Sequence, residues 1–168
     1  MKKLFLILLI LISKFSFSQS LTIREMINIR VKDIGNCQET LISKNWEIYQ
    51  IKNYKERNIN SISFNNLKKN STFSYINPEN SDNMVFLFSL DFSEFDEYIE
   101  QIRYLEFEKI STNVDSKNVL NIVYKKGDLC IEFSTGVYEQ KKYLRINISD
   151  YENYLRRIKT INNNKTNK

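Results

Sequence analysis

Histidine is missing altogether from the 168 residues of this chain. That removes Ser–His–Asp and Cys–His catalysis, in which an imidazole carries the proton, and the imidazole-ligated zinc sites. Glycine is scarce as well: Gly35, Gly127 and Gly136 are the three, each isolated. A loop that cradles phosphate needs clustered glycines so that backbone N–H groups can close on the anion, and none is present. There are two cysteines, Cys37 and Cys130. In an exported protein such a pair is a candidate disulfide; the alternative is two small buried hydrophobes. Cys130 alternates away from Leu129, Ile131 and Phe133, which argues against a location shared with Cys37.

Acidic residues are present but not arranged for chemistry. Asp91, Glu94, Asp96, Glu97 and Glu100 crowd one stretch. A calcium loop needs alternating oxygen ligands around a turn glycine. This run has helical spacing instead and reads as a solvated helix face. A glycosidase needs two carboxylates about 5–10 Å apart across a cleft, and nothing selects such a pair among twenty acids. No catalytic, cofactor-binding or metal-ligating residue is therefore assigned, and no cofactor is expected.

What is present begins with MKKLFLILLILISKFSFSQS. Lys2 and Lys3 precede an apolar run from Leu4 to Ile12, and Ser16-Phe17-Ser18 offers small residues before Gln19. This predicts a secretory signal peptide over residues 1–18, cleaved between Ser18 and Gln19. The run is too short for a membrane span, which needs roughly 20 apolar residues, and Lys14 interrupts it. No cysteine follows the cleavage site to carry a lipid, and no later run is long enough to span. The expected address is periplasmic or secreted, without a stable span after cleavage.

Charge supports the same reading. Without the three lysines of the leader, the formal charge falls from +5 to +2. Five more basic residues, Arg156, Arg157, Lys159, Lys165 and Lys168, sit in the last thirteen positions, and without them the body is −3. Nucleic-acid binders gather basic residues on one face of the folded body, so no nucleic-acid partner is expected.

Hydrophobic periodicity organises the rest. Leu21, Ile23, Met26 and Ile29, then Ile34, Cys37 and Leu41, predict helix over residues 21–45, broken near Asp33 or Gly35. Strands are predicted at 46–51, 59–64, 71–76 and 84–90, with a turn at Asn77-Pro78-Glu79-Asn80. The strand at 84–90 is apolar on both faces, as a central strand would be. A helix is predicted from Ser93, then strands at 107–112, 119–124, 129–134 and 143–148. The turn at Lys125-Lys126-Gly127-Asp128 suits a hairpin, and Gly136 is placed in a loop. A last helix is predicted from Ser149, with Ser149 and Glu152 as a capping box.

The segments SEFDEYIEQI (93–102) and SDYENYLRRI (149–158) look alike, and Phe88, Leu90 and Phe92 align with Leu144, Ile146 and Ile148. The expected fold is therefore α+β, with two tandem units of a helix plus about four antiparallel strands. The expected boundaries are 19–92 for the first unit, 93–160 for the second with a C-terminal helix, and 161–168 for a flexible tail. Tyr49, Tyr54, Tyr104, Tyr138 and Tyr143 fall at strand ends, loops or polar positions. Exposed tyrosine gives rigid amphipathic contact area; ordinary half-buried sheet tyrosine is the alternative.

The stretches LTIREMINI, LISKNWEI, IRYLEFEKI and VLNIVYKKGDLCIEF, with the MKK…FSFSQ leader, resemble exported proteins of unknown function from Bacteroidetes-type bacteria. At fold level the expected tandem layout resembles β-lactamase-inhibitor-protein-like architecture, and more loosely small outer-membrane assembly subunits. The resemblance implies no site residues. The functional expectation is an exported, non-enzymatic module that binds an unknown protein or envelope component. The alternatives are a small carboxylate-dependent hydrolase and a structural envelope component.

Overall fold

The computed structural model describes residues 20–54, 59–78 and 82–166. The predicted signal peptide and its expected Ser18–Gln19 cleavage site lie outside the described residues. The described residues open with two short helices, α1 (Ile23–Arg30) and α2 (Ile34–Ile42). Thr22 and Glu25 form a capping box that satisfies free N–H groups at the start of α1. Asp33, one of the two predicted breaks, caps α2 by accepting from Asn36 N at 2.8 Å. Four strands follow: β1 (Glu47–Tyr54), β2 (Ile59–Asn66), β3 (Ser71–Pro78) and β4 (Met84–Ser89). Helix α3 (Phe95–Tyr104) leads into β5 (Glu108–Val114), β6 (Leu120–Lys126), β7 (Leu129–Tyr138) and β8 (Lys141–Asp150), and α4 (Tyr151–Thr166) is the last described element.

The expected pair of tandem units is overturned by the sheet. All eight strands form one antiparallel sheet in the order β1-β2-β3-β4-β8-β7-β6-β5. β4 and β8 join its halves, with Val85 opposite Ile148 and Leu87 opposite Ile146. One hydrophobic core runs across the join. It takes Leu21, Ile23, Met26 and Ile29 from the α1 region, Cys37 and Leu41 from α2, and Tyr98 and Ile102 from α3. It also takes Phe64, Phe73, Val85, Leu87, Ile131, Phe133, Leu144, Ile146 and Ile148 from both halves of the sheet. Neither half has a core of its own.

The similarity that suggested a repeat joins positions with different structures. Ser93 lies in a 3₁₀ turn (Phe92–Glu94) capped by Asp91, and the α-helix begins only at Phe95. Ser149 is buried inside β8 opposite Cys130, so it forms no capping box with Glu152. The aligned apolar residues also point to opposite faces. Leu144, Ile146 and Ile148 face the core, whereas Phe88 pairs with Arg145 on the other face, and Leu90 and Phe92 lie beyond the end of β4. Because side chains alternate, a one-residue slip in such an alignment exchanges the faces.

A smaller expectation is also corrected. Gly136 is not in a loop: it lies within β7, opposite Tyr143. The β7–β8 turn is instead Glu139-Gln140, both at positive φ (47° and 65°). Helix α4 runs into the expected tail, as far as Thr166. The Lys125–Asp128 turn does form, with Gly127 at φ 57° between paired Lys126 and Leu129.

Candidate functional site

Strand alternation gives the sheet a second face, opposite the core. From β4 it carries Met84, Phe86 and Phe88; from β8 Tyr143, Arg145, Asn147 and Ser149; and from β7 Cys130, Glu132, Ser134, Gly136 and Tyr138. Helix α4 follows β8 directly, with Tyr151 N donating to Asp128 O at 2.7 Å. It holds to this face through Glu132, which pairs with Arg157 and accepts from Asn147 Nδ2 at 2.5 Å. The Lys125 ammonium lies 4.2 Å from the centroid of the Tyr151 ring, and Tyr151 stacks on Tyr154. These contacts secure the region around Glu132 and Asn147.

At the other end of β8 the same face carries aromatic rings. Phe88 stacks on Tyr143 with centroids 5.5 Å apart and meets Tyr138 edge-on at 6.3 Å. Both are favourable aromatic geometries. Phe88 and Tyr143 are half-buried, while Tyr138 is 53% exposed. Gly136 lets the Tyr143 ring lie low across β7: a Cβ there would come within 3.0 Å of the ring. Arg145, exposed in the adjacent row, donates from Nη2 to Ser134 Oγ at 3.1 Å, and Ser134 donates to Asn121 Oδ1 at 2.7 Å. On the other flank, Thr72 donates to Asn65 Oδ1 and the Ser63 and Ser74 hydroxyls share a bond. Large rings lying between hydroxyl, amide and guanidinium groups form a surface that can take up a partner by apolar burial plus hydrogen bonding.

Of the tyrosines singled out from sequence, the structure brings only Tyr138 and Tyr143 together. Tyr49 is exposed on edge strand β1, and Tyr104 is exposed at the end of α3. The Tyr54 side chain is outside the described residues. Sequence reasoning missed Phe88 and Arg145. β4 is apolar on both faces, so its alternation carries no signal that the core covers Val85 and Leu87 and leaves Phe88 on the other side.

A second candidate is a cleft of about 410 Å³ lined by Asp82, Asp128, Asp150, Tyr151, Glu152, Asn153 and Arg156. Arg30, buried at the end of α1, pairs with Asp150 and lies 3.7 Å from Asp82. Burial first, then a hydrogen bond with Asp82, hold the Asp150 carboxyl above its ordinary pKa, and Arg30 opposes them. The guanidinium thus pairs with both acids.

Glu94 departs from the solvated face predicted for the acidic run. It accepts from Lys69 Nζ at 2.9 Å and from Tyr98 OH at 3.3 Å, and also bonds Ser20. Among the described residues no group of acids and cysteines is arranged to hold a metal ion. Among them, too, no helix is long and apolar enough to cross a membrane.

The candidate disulfide is not formed. Cys37 belongs to the core beneath α2, whereas Cys130 lies on the second face, and both are free and buried. Burial pushes each thiol up to about 12, so neither is a ready nucleophile. No family model matches the chain, and neither a curated protein nor a solved structure is significantly similar to it.

Proposed function

We propose that this is an exported protein that acts by binding another protein of the cell envelope or exterior, through the aromatic end of the second sheet face. The observation that carries the reading is the Phe88–Tyr138–Tyr143 cluster beside exposed Arg145. Tyrosine, phenylalanine and arginine are enriched at protein interfaces; the rings cover much area with few rotamers to freeze, and the guanidinium supplies a planar fork of donors. The exported address is supported by the basic–apolar–small-residue pattern of residues 1–18 and by the resemblance to exported Bacteroidetes-type proteins.

A carboxylate-dependent hydrolase is the second reading, favoured by the acid-lined cleft at Asp82 and Asp150. The ion pairs that Arg30 makes with both acids weigh against it.

The test is affinity capture from an envelope extract with the purified protein and with a Tyr138→Ser/Tyr143→Ser variant. A partner retained by the first and lost by the second, with unchanged circular dichroism, supports the reading. Equal retention by both sinks it, and turnover of a hydrolase substrate that Asp150→Asn abolishes would favour the alternative.

A further inference from the structure

We propose that Arg145 is the recognition residue of this surface and that it takes a carboxylate side chain of the protein partner. This rests on the aromatic face being the interface. Three observations carry it. First, Arg145 is held in place before any partner arrives: Asn121 fixes Ser134, and Ser134 accepts one of the guanidinium's five N–H donors. The side-chain entropy that an exposed arginine loses on binding is thus partly lost already.

Second, no carboxylate of the described residues lies within ion-pair distance of Arg145, although seven other described basic side chains form such pairs in the structure: Arg30, Lys44, Lys69, Arg103, Lys126, Arg156 and Arg157. Glu132, on the same face, is bound to Arg157 instead. A planar fork with its remaining donors free matches a carboxylate in a bidentate geometry.

Third, positive charge is in excess around it, Asp91 and Glu94 beyond the end of β4 being paired with Lys69. Lys141, opposite Tyr138, projects from the same face, and Lys68 is exposed in the β2–β3 turn at the same end of the sheet. The only acid on the β7–β8 hairpin at this end is Glu139, at the tip. A local excess of positive charge attracts acidic surfaces and repels basic ones. The aromatic rings beside Arg145 then supply the apolar area that excludes water from the new pair, and desolvation strengthens it.

The probe is an immobilised random Glu/Tyr copolymer, which presents carboxylates among aromatic rings, with a Lys/Tyr copolymer as the control. The purified protein should bind the first at least about tenfold more tightly than the second, an interval of about 1.4 kcal/mol. Arg145→Gln should lose about tenfold or more on the Glu/Tyr polymer, and Arg145→Lys should fall between. Arg145 is exposed, so these variants are expected to keep the wild-type amide spectrum. No binding of the Glu/Tyr polymer, equal binding of both polymers, or an Arg145→Gln variant that binds like wild type overturns the inference. In each of those cases the aromatic-face reading still stands if Tyr138→Ser/Tyr143→Ser loses the envelope partner, and falls if it does not.

Discussion

The two faces of the sheet are built from the same strands and behave as different materials. On one face, alternate residues of every central strand are aliphatic or aromatic and fully buried under α1, α2 and α3. On the other, the same strands present serine, threonine, asparagine, a few rings and an arginine, and α4 is held there by an ion pair and polar contacts. Burial of apolar area, at roughly 25 cal/mol per Å², therefore stabilises the first face. The second contributes less to folding and leaves large side chains available to a partner. The face that holds the protein together is also the one that erases the boundary between its halves, since β4 and β8 pair at its centre.

The sharpest way to break this comparison is to cut into each face. Phe73→Ala in β3 and Phe133→Ala in β7 should each cost about 3–5 kcal/mol, whereas Phe88→Ala should cost roughly 1 kcal/mol. Urea denaturation should show a single transition in every case, because the two core phenylalanines belong to one core although they lie in different halves of the sheet. Two separable transitions would restore the tandem-unit picture. Next in size is the contact that holds α4. Glu132→Gln leaves Arg157 without its carboxylate and should cost about 1–3 kcal/mol, read as lost helix signal and lower stability in the same urea series.

The cysteines report on the faces separately. Both thiols should be unreactive in the native protein, and a chromogenic thiol reagent should count two per chain after denaturation. Cys130, on the α4 side, should label about tenfold faster than core Cys37 under native conditions, since a single polar-anchored helix opens more readily than the whole core. Equal rates would mean that the two faces share one opening. The smallest effect concerns the Arg30 cluster. Asp150 has its pKa raised in the folded protein, so its ionised form costs stability as pH rises through that value, and the cost is constant above it. Asp82→Asn removes the neighbouring charge and should raise stability at pH 7 by less than about 1 kcal/mol, because Asp82 is 75% exposed. The gain should vanish toward pH 3. A loss at pH 7 would mean that Asp82 serves Arg30 more than it burdens Asp150.

Most secondary elements could be read from the sequence because their signals are local. The period-2 alternation of INSISF and YLRINI and the helical spacing of Cys37 and Leu41 all lie within a few residues. What could not be read depends on partners distant in the chain. The closure of β4 on β8 joins residues about sixty positions apart, and two similar apolar strings do not reveal that one of them faces away from the core. Phe88 shows the limit most clearly. In a strand apolar on both faces, alternation cannot say which face is covered, so a ring at the candidate site looked like core. Tyr138 and Tyr143 were recognisable as individual residues. Their convergence needed the two-residue Glu139-Gln140 turn, for which no glycine signalled a left-handed pair. Cys37 lies in the core and Cys130 on the second face, with the sheet between them.

The most direct test of the central claim compares two neighbouring residues of β7 that point to opposite faces. Val137 is 70% exposed and Tyr138 53% exposed, so both can reach a partner. A benzophenone side chain is placed at each position in turn, the protein is exposed to an envelope extract and irradiated, and adducts are resolved by mass. A single adduct of fixed mass from position 138, absent from 137, is the predicted result. Adducts from 137 alone, or the same adducts from both positions, would contradict the assignment of the second face as the contact surface.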